Sequence, residues 1–150
     1  MWKTILVPHD FSASADRACE LARELAGVHG ARLVLLHVAE MPSMLGPMAS
    51  VVPDDGGNPV SVRDYAMQSS TVALEEIAGR LRAAGATVTY LAAIGHAATE
   101  IVEAAGRERA DLIVMGTHGR TGLAHVVLGS VTEKVVRHSA VPVLTIRTPA

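Results

Sequence analysis

Three glycines and a serine stand in the order G-x2-G-x9-G-S, as Gly116, Gly119, Gly129 and Ser130, between the apolar run DLIVM and the segment VTEKVVRH. Glycine lacks Cβ, so backbone N–H groups in such a loop can close around anionic oxygens. The amino end of a following helix then adds its partial positive charge. The same glycines could also do no more than turn the chain sharply. Two familiar phosphate loops are excluded. VPHDFS, which follows the first apolar run, contains no glycine, so no G-x-G-x-x-G stands there, and G-x-x-x-x-G-K-[ST] occurs nowhere.

Other side chains carry two readings each. Ser130 and Glu133 form S-x-x-E, a capping box for the last helix. A hydroxyl can accept from a helix N–H and donate to phosphate, so the two roles are compatible. Asp10 suits a ligand contact or an N-cap, for which Ser12 competes. Arg120 is either a solvated arginine or a screen for phosphate charge, Gly122 a turn residue, and Gly116 a strand end where no side chain fits. The seven histidines include no H-x-x-x-H pair and no cysteine-linked spacing, so no protein-only metal site is expected. Of these, His9, His96 and His118 are expected near the mouth of the site, His37 at a strand end and His29 at a helix end. Cys19 falls on the inward face of the first helix and reads as core rather than nucleophile. No carboxylate pair, Ser–His–Asp set or water-activating base can be assigned, so no catalytic residue is named. Any hydrolytic activity is therefore expected to be slow at most, rather than that of a dedicated enzyme.

These residues need elements to position them. TILVP (4–8), RLVLLHV (32–38), DLIVM (111–115) and VPVLTI (141–146) are apolar without alternation, as strands buried on both faces are. TVTYLAA (87–93) adds a fifth strand. Helices are expected over 12–29, closed by Gly30, over 61–84, closed by Gly85, over 97–109 and over 130–138. Tyr65, Val72, Leu74, Ile77, Ala78 and Leu81 would form the apolar face of the second. The alternation predicts an α/β fold: a doubly wound five-stranded parallel sheet of order 3-2-1-4-5 with four helices, Rossmann-like. Its switch point lies between strands 1 and 4, where ligands of such sheets bind at the carboxyl ends. VPHDFS and the glycine stretch end those two strands. Residues 40–60, with four prolines and three glycines, are expected to lack regular structure and to be either a flexible insertion or a lid.

At 150 residues the chain suits a single domain, 1–150. Hydrophobic residues make up 49% and aromatics 3%, an aliphatic palette for sheet and Ala-rich helices. A net charge of −2 gives no footprint for nucleic acid or an acidic membrane surface. One cysteine allows no intrachain disulfide, no run reaches transmembrane length, and the short apolar start is no signal peptide, so a cytoplasmic protein is expected.

VPHDFS, LLHV, DLIVMGTHG, the spaced glycines and the ending VTEKVVRHSAVPVLTIR together resemble the universal stress protein family over essentially the whole chain. The glycine motif is that of the family's ATP-binding branch, and the other branch binds no nucleotide. The resemblance implies that Gly116, Gly119 and Gly129 shape a loop around ribose and phosphates. Backbone of His118, Arg120 and Ser130 would lie near the ligand, with the Ser130 hydroxyl at a terminal phosphate. Asp10, with His9 beside it, would sit by the ribose, Pro8 and Val38 would flank adenine, and Met115 and Val131 would line the pocket. Mg²⁺ would accompany the ATP. The implied function is a nucleotide-dependent stress-response module; a scaffold or chaperone-like role without nucleotide, or a slow ATPase, is the alternative. The resemblance also implies a homodimer through the last strand, Val141 to Arg147, an apolar edge.

Overall fold

The computed structural model describes residues 1–42, 44–46, 48–117 and 128–147. Five strands form the main sheet: β1 (Thr4–Pro8), β2 (Arg32–Ala39), β5 (Thr87–Ile94), β6 (Leu112–Gly116) and β7 (Val143–Ile146). Their order is β5-β2-β1-β6-β7 and every pairing is parallel. Counted within this sheet alone, that is the expected 3-2-1-4-5. Ile5 is in register with Leu33 on one side and Leu112 on the other, so β1 is central and buried throughout.

Helices α1 (Ala13–His29) and α2 (Val62–Ala83) cover one face, and α3 (Ala97–Arg107) and α4 (Ser130–His138) the other. α1 lays Ala15, Ala18, Cys19, Ala22 and Ala26 against the sheet, small residues that let helix and strands approach closely. Gly30 stops it in the left-handed conformation (φ 67°), its N–H donating to the Ala26 carbonyl. α2 buries Leu74, Ile77, Ala78 and Leu81 as expected, but Val72 is exposed, about half a turn from that stripe on the opposite face. α3 ends at Arg107 rather than Arg109, because Arg109 itself turns left-handed (φ 52°).

The segment 40–60 departs from expectation. Ser50–Val51 (β3) and Val60–Ser61 (β4) pair antiparallel, and Ala49 O accepts from Val62 N, so a small ladder feeds α2. Two backbone pairs suffice to tie a proline- and glycine-rich stretch whose composition alone argues against strand. Among the described residues no helix is long and apolar enough to cross a membrane.

Candidate functional site

At the carboxyl ends of β1, β2 and β6 lies a cleft of about 360 Å³. Of the residues singled out by sequence, Pro8, His9, Asp10, Val38, Met115, Gly116, Gly129, Ser130 and Val131 all line it. His118, Gly119 and Arg120, together with Gly122, lie outside the described residues. Sequence reasoning missed Ser12, His37, Glu40, Ala97, Ile101 and Thr132, which also line the cleft. Thr132 and His37 had a signal, since each stands within one or two positions of a residue already chosen. Ala97 and Ile101 arrive by tertiary packing of α3 and left none.

One wall is the turn between β1 and α1. The His9 amide donates to the Leu36 carbonyl (2.7 Å), which pins the turn to β2. Phe11 N–H donates to His9 Nδ1 (3.0 Å), Ser12 N–H to Asp10 Oδ1 (3.1 Å), and Ala15 N–H to Ser12 Oγ (3.2 Å). Ser12, not Asp10, is therefore the N-cap of α1, and Asp10 instead braces the turn ahead of it. Phe11 is held at φ 65°, a conformation a bulky side chain rarely adopts. Its ring packs on His37 (centroids 4.4 Å apart) and on His9 (5.5 Å).

His9 is 3% exposed. Its Nδ1 accepts a hydrogen bond, so that nitrogen carries a lone pair and the proton sits on Nε2, 3.2 Å from Asp16 Oδ1. The contact is thus a neutral imidazole donating to a carboxylate. Burial pushes the His9 pKa below the ordinary value of 6.5, against the opposing pull of Asp16 and Asp10. The His37 Nδ1–H donates to the His9 carbonyl (2.7 Å).

The second wall runs from β6 to α4. Gly116 ends the strand against α1: a Cβ there would lie 2.0 Å from Ser14 Oγ and 3.1 Å from the Ser14 backbone carbon. Packing alone demands this glycine. Thr132 Oγ1 donates to the Gly116 carbonyl (2.9 Å), and Gly129 N–H to the Thr117 carbonyl (2.6 Å), closing the neck of the loop. Ser130 is not the cap of α4. Gly129 occupies that position, no side-chain cap bond is present among the described residues, and Glu133 pairs with Arg137 rather than reaching back. In S-x-x-E the serine must sit one residue outside the helix; here the helix starts on it. The amino end of α4 therefore opens into the cleft without a side-chain cap from the described residues.

The third wall is apolar: Val38, Ala97 and Ile101, with Glu40 at its rim. Glu40 Oε1 accepts from Ala97 N–H (2.9 Å), so the end of β2 supplies the cap that His96 does not. His96 is exposed at that helix start and does not line the cleft. Glu40 is also the one described residue of the 40–60 segment that lines it, while Met44 and Met48 are almost fully exposed. Cys19 is buried in the α1 interface with its pKa pushed up to about 12 by burial, an inert thiol. Among the described residues no group of three or more His, Cys, Asp or Glu side chains could hold a metal ion.

The family model described as the universal stress protein family matches residues 1–147. The chain belongs to this family. Universal stress protein MJ0577 of Methanocaldococcus jannaschii is 32% identical, over 98% of this chain and 96% of its own. A Thermus aquaticus universal stress protein is 36% identical over 98% of this chain and all of its own. The solved structure of MJ0577 matches with a TM-score of 0.81, 28% identity and coverage of 100% and 99% of the two chains. A universal stress protein solved in complex with cAMP matches at 0.72 with 27% identity, covering 99% of each chain.

Proposed function

We propose that this universal stress protein binds ATP in the cleft at its switch point and acts as a nucleotide-dependent regulatory module. The observation that carries the reading is the amino end of α4, which no described side chain caps and which opens beside the apolar wall and Asp10. A helix start of that kind suits phosphate, a carboxylate suits ribose hydroxyls, and an aliphatic slot suits a purine face. Backbone at Gly129 and Val131 and the Ser130 hydroxyl would face the phosphates. Asp10 would take the ribose, and Pro8, Val38 and Met115 the base, with His118, Gly119 and Arg120 contributed by the loop between them. Mg²⁺ would be held by phosphate oxygens and water. The bound complex of a relative with cAMP supports an adenine nucleotide as the ligand class.

Purified protein should release an adenine nucleotide on denaturation, detected by chromatography, and should take up Mg-ATP in calorimetry. No uptake at millimolar ATP would remove the reading. The open edge of β7, where Leu144 is exposed, supports a second copy of this chain as partner. Light scattering at tens of micromolar should then report a dimer; a monomer would count against it.

A further inference from the structure

His9 does something in this turn that ligand contact does not require. It is the acceptor for the Phe11 amide, and that bond stands behind the left-handed backbone of Phe11. Asp10 lies between the two. We propose that His9 is the positioning residue of the Asp10 turn and holds it only while its ring is neutral, so that protonation of His9 and nucleotide binding oppose each other. The proposal rests on the nucleotide reading for the identity of the ligand, but its geometry belongs to the turn alone.

The groups facing His9 from each side decide what a proton would do. From α1 comes Asp16, whose carboxylate already takes the Nε2 proton. From β2 come the Leu36 carbonyl, held by the His9 amide, and His37, which donates to the His9 carbonyl. Asp10 faces it from the turn itself. A second proton has one place to go, Nδ1, which lies 3.0 Å from the Phe11 nitrogen. Two donors would then face each other, the hydrogen bond would be lost, and Phe11 would leave φ 65° for an ordinary conformation. Asp10 is carried with it. His37 differs: its Nδ1 already donates, so a proton on Nε2 leaves its bond to His9 intact. The Phe11 ring packs on both imidazoles, yet only one is wired to break the turn. The mostly exposed Asp16 would gain an ion pair when His9 is charged, but solvent screens it.

The test has a nucleotide-free arm and a nucleotide arm. In NMR on the free protein, the His9 ring and the Phe11 amide should titrate together, with a midpoint below 6.5. In calorimetry with Mg-ATP between about pH 8 and pH 5.5, wild-type affinity should fall faster than that of His9→Asn, by up to about tenfold for each pH unit below the midpoint. Asparagine offers a non-titrating Oδ1 where Nδ1 stood and accepts the same amide as an Asx turn. Comparing the two proteins cancels the titration of ATP itself. His9→Leu should bind weakly at every pH, and His9→Asn should regain most of that loss. A Phe11 amide indifferent to His9 protonation, or an acid-side loss retained in His9→Asn, overturns the proposal. Absent binding at pH 8 overturns the nucleotide reading and the antagonism with it, and the joint titration then decides the turn alone.

Discussion

At the end of β1 the chain is held by side chains reaching for backbone: His9 for Phe11, Asp10 for Ser12, Ser12 for Ala15. At the end of β6 it is held by backbone and by one threonine: Gly129 to Thr117, Thr117 to Ile146, Thr132 to Gly116. α1 begins with a serine cap, while α4 follows a glycine in the cap position and has no side-chain cap among the described residues. The first wall uses its amides internally and presents a carboxylate; the second keeps the amide end of a helix for the cleft. One fold thus places a carboxylate on one side of the cleft and the amino end of a helix on the other.

The sharpest way to break this comparison uses the two glycines at the ends of the same loop. Gly116→Val would drive side-chain atoms into Ser14, whose own backbone carbon is 3.1 Å from the Cβ position. Overpacking of that kind costs about 3 kcal/mol, and denaturant melts should show it. A Ser14→Gly partner substitution should recover part of the loss. A Gly116→Val protein melting like wild type would remove packing as the reason for this glycine.

Gly129 is the opposite case. Its φ of −65° and ψ of 156° suit any residue, so nothing in its backbone requires glycine. Gly129→Val should therefore keep stability within about 1 kcal/mol. Binding of Mg-ATP should fall more than about tenfold, because the new side chain would stand where phosphate is to lie. Unchanged affinity would show that the ligand does not approach this backbone.

Smaller effects test the first wall. Ser12→Ala should cost about 1 kcal/mol through the lost cap of α1, while Ser130→Ala, which removes no cap, should cost far less in thermal melts. The lowered pKa of His9 sets a pH dependence of stability. Above 6.5 both folded and unfolded forms carry a neutral ring. As pH falls below 6.5 the unfolded chain takes the proton first, so stability is lost on the acid side. Melting temperatures should drop from about pH 7 to pH 5.5, and less steeply in His9→Asn. Equal slopes for the two proteins would mean that His9 does not drive the loss.

The sheet was legible because its signal is local: five apolar runs, each fed or followed by a helical period, leave little freedom in topology. The cleft was legible for the same reason, since the switch point follows from strand order, with Asp10, Val38 and Gly116 at or just past strand ends and Gly129 at the start of the next helix. What stayed hidden is set by distant partners. Gly116 is explained by Ser14 on another element, the cap of α3 by Glu40 at the end of β2, and the Phe11 turn by the β1–β2 register that brings His37 beside it. The S-x-x-E pattern misled because spacing does not show which residue first becomes helical.

The smallest expected effect lies where the two walls meet. Ser14 belongs to α1, yet its hydroxyl sits under Gly116 of β6, buried and without a hydrogen-bond partner among the described residues. A hydroxyl desolvated in this way opposes folding, so Ser14→Ala should be neutral or stabilise by up to about 1 kcal/mol. It should also leave Mg-ATP affinity unchanged, since Ser14 does not line the cleft. A destabilisation beyond about 1 kcal/mol would mean that the hydroxyl contributes to holding β6 against α1. The β6 wall would then depend on a side chain of the β1 wall, and the division between them would fail at this residue.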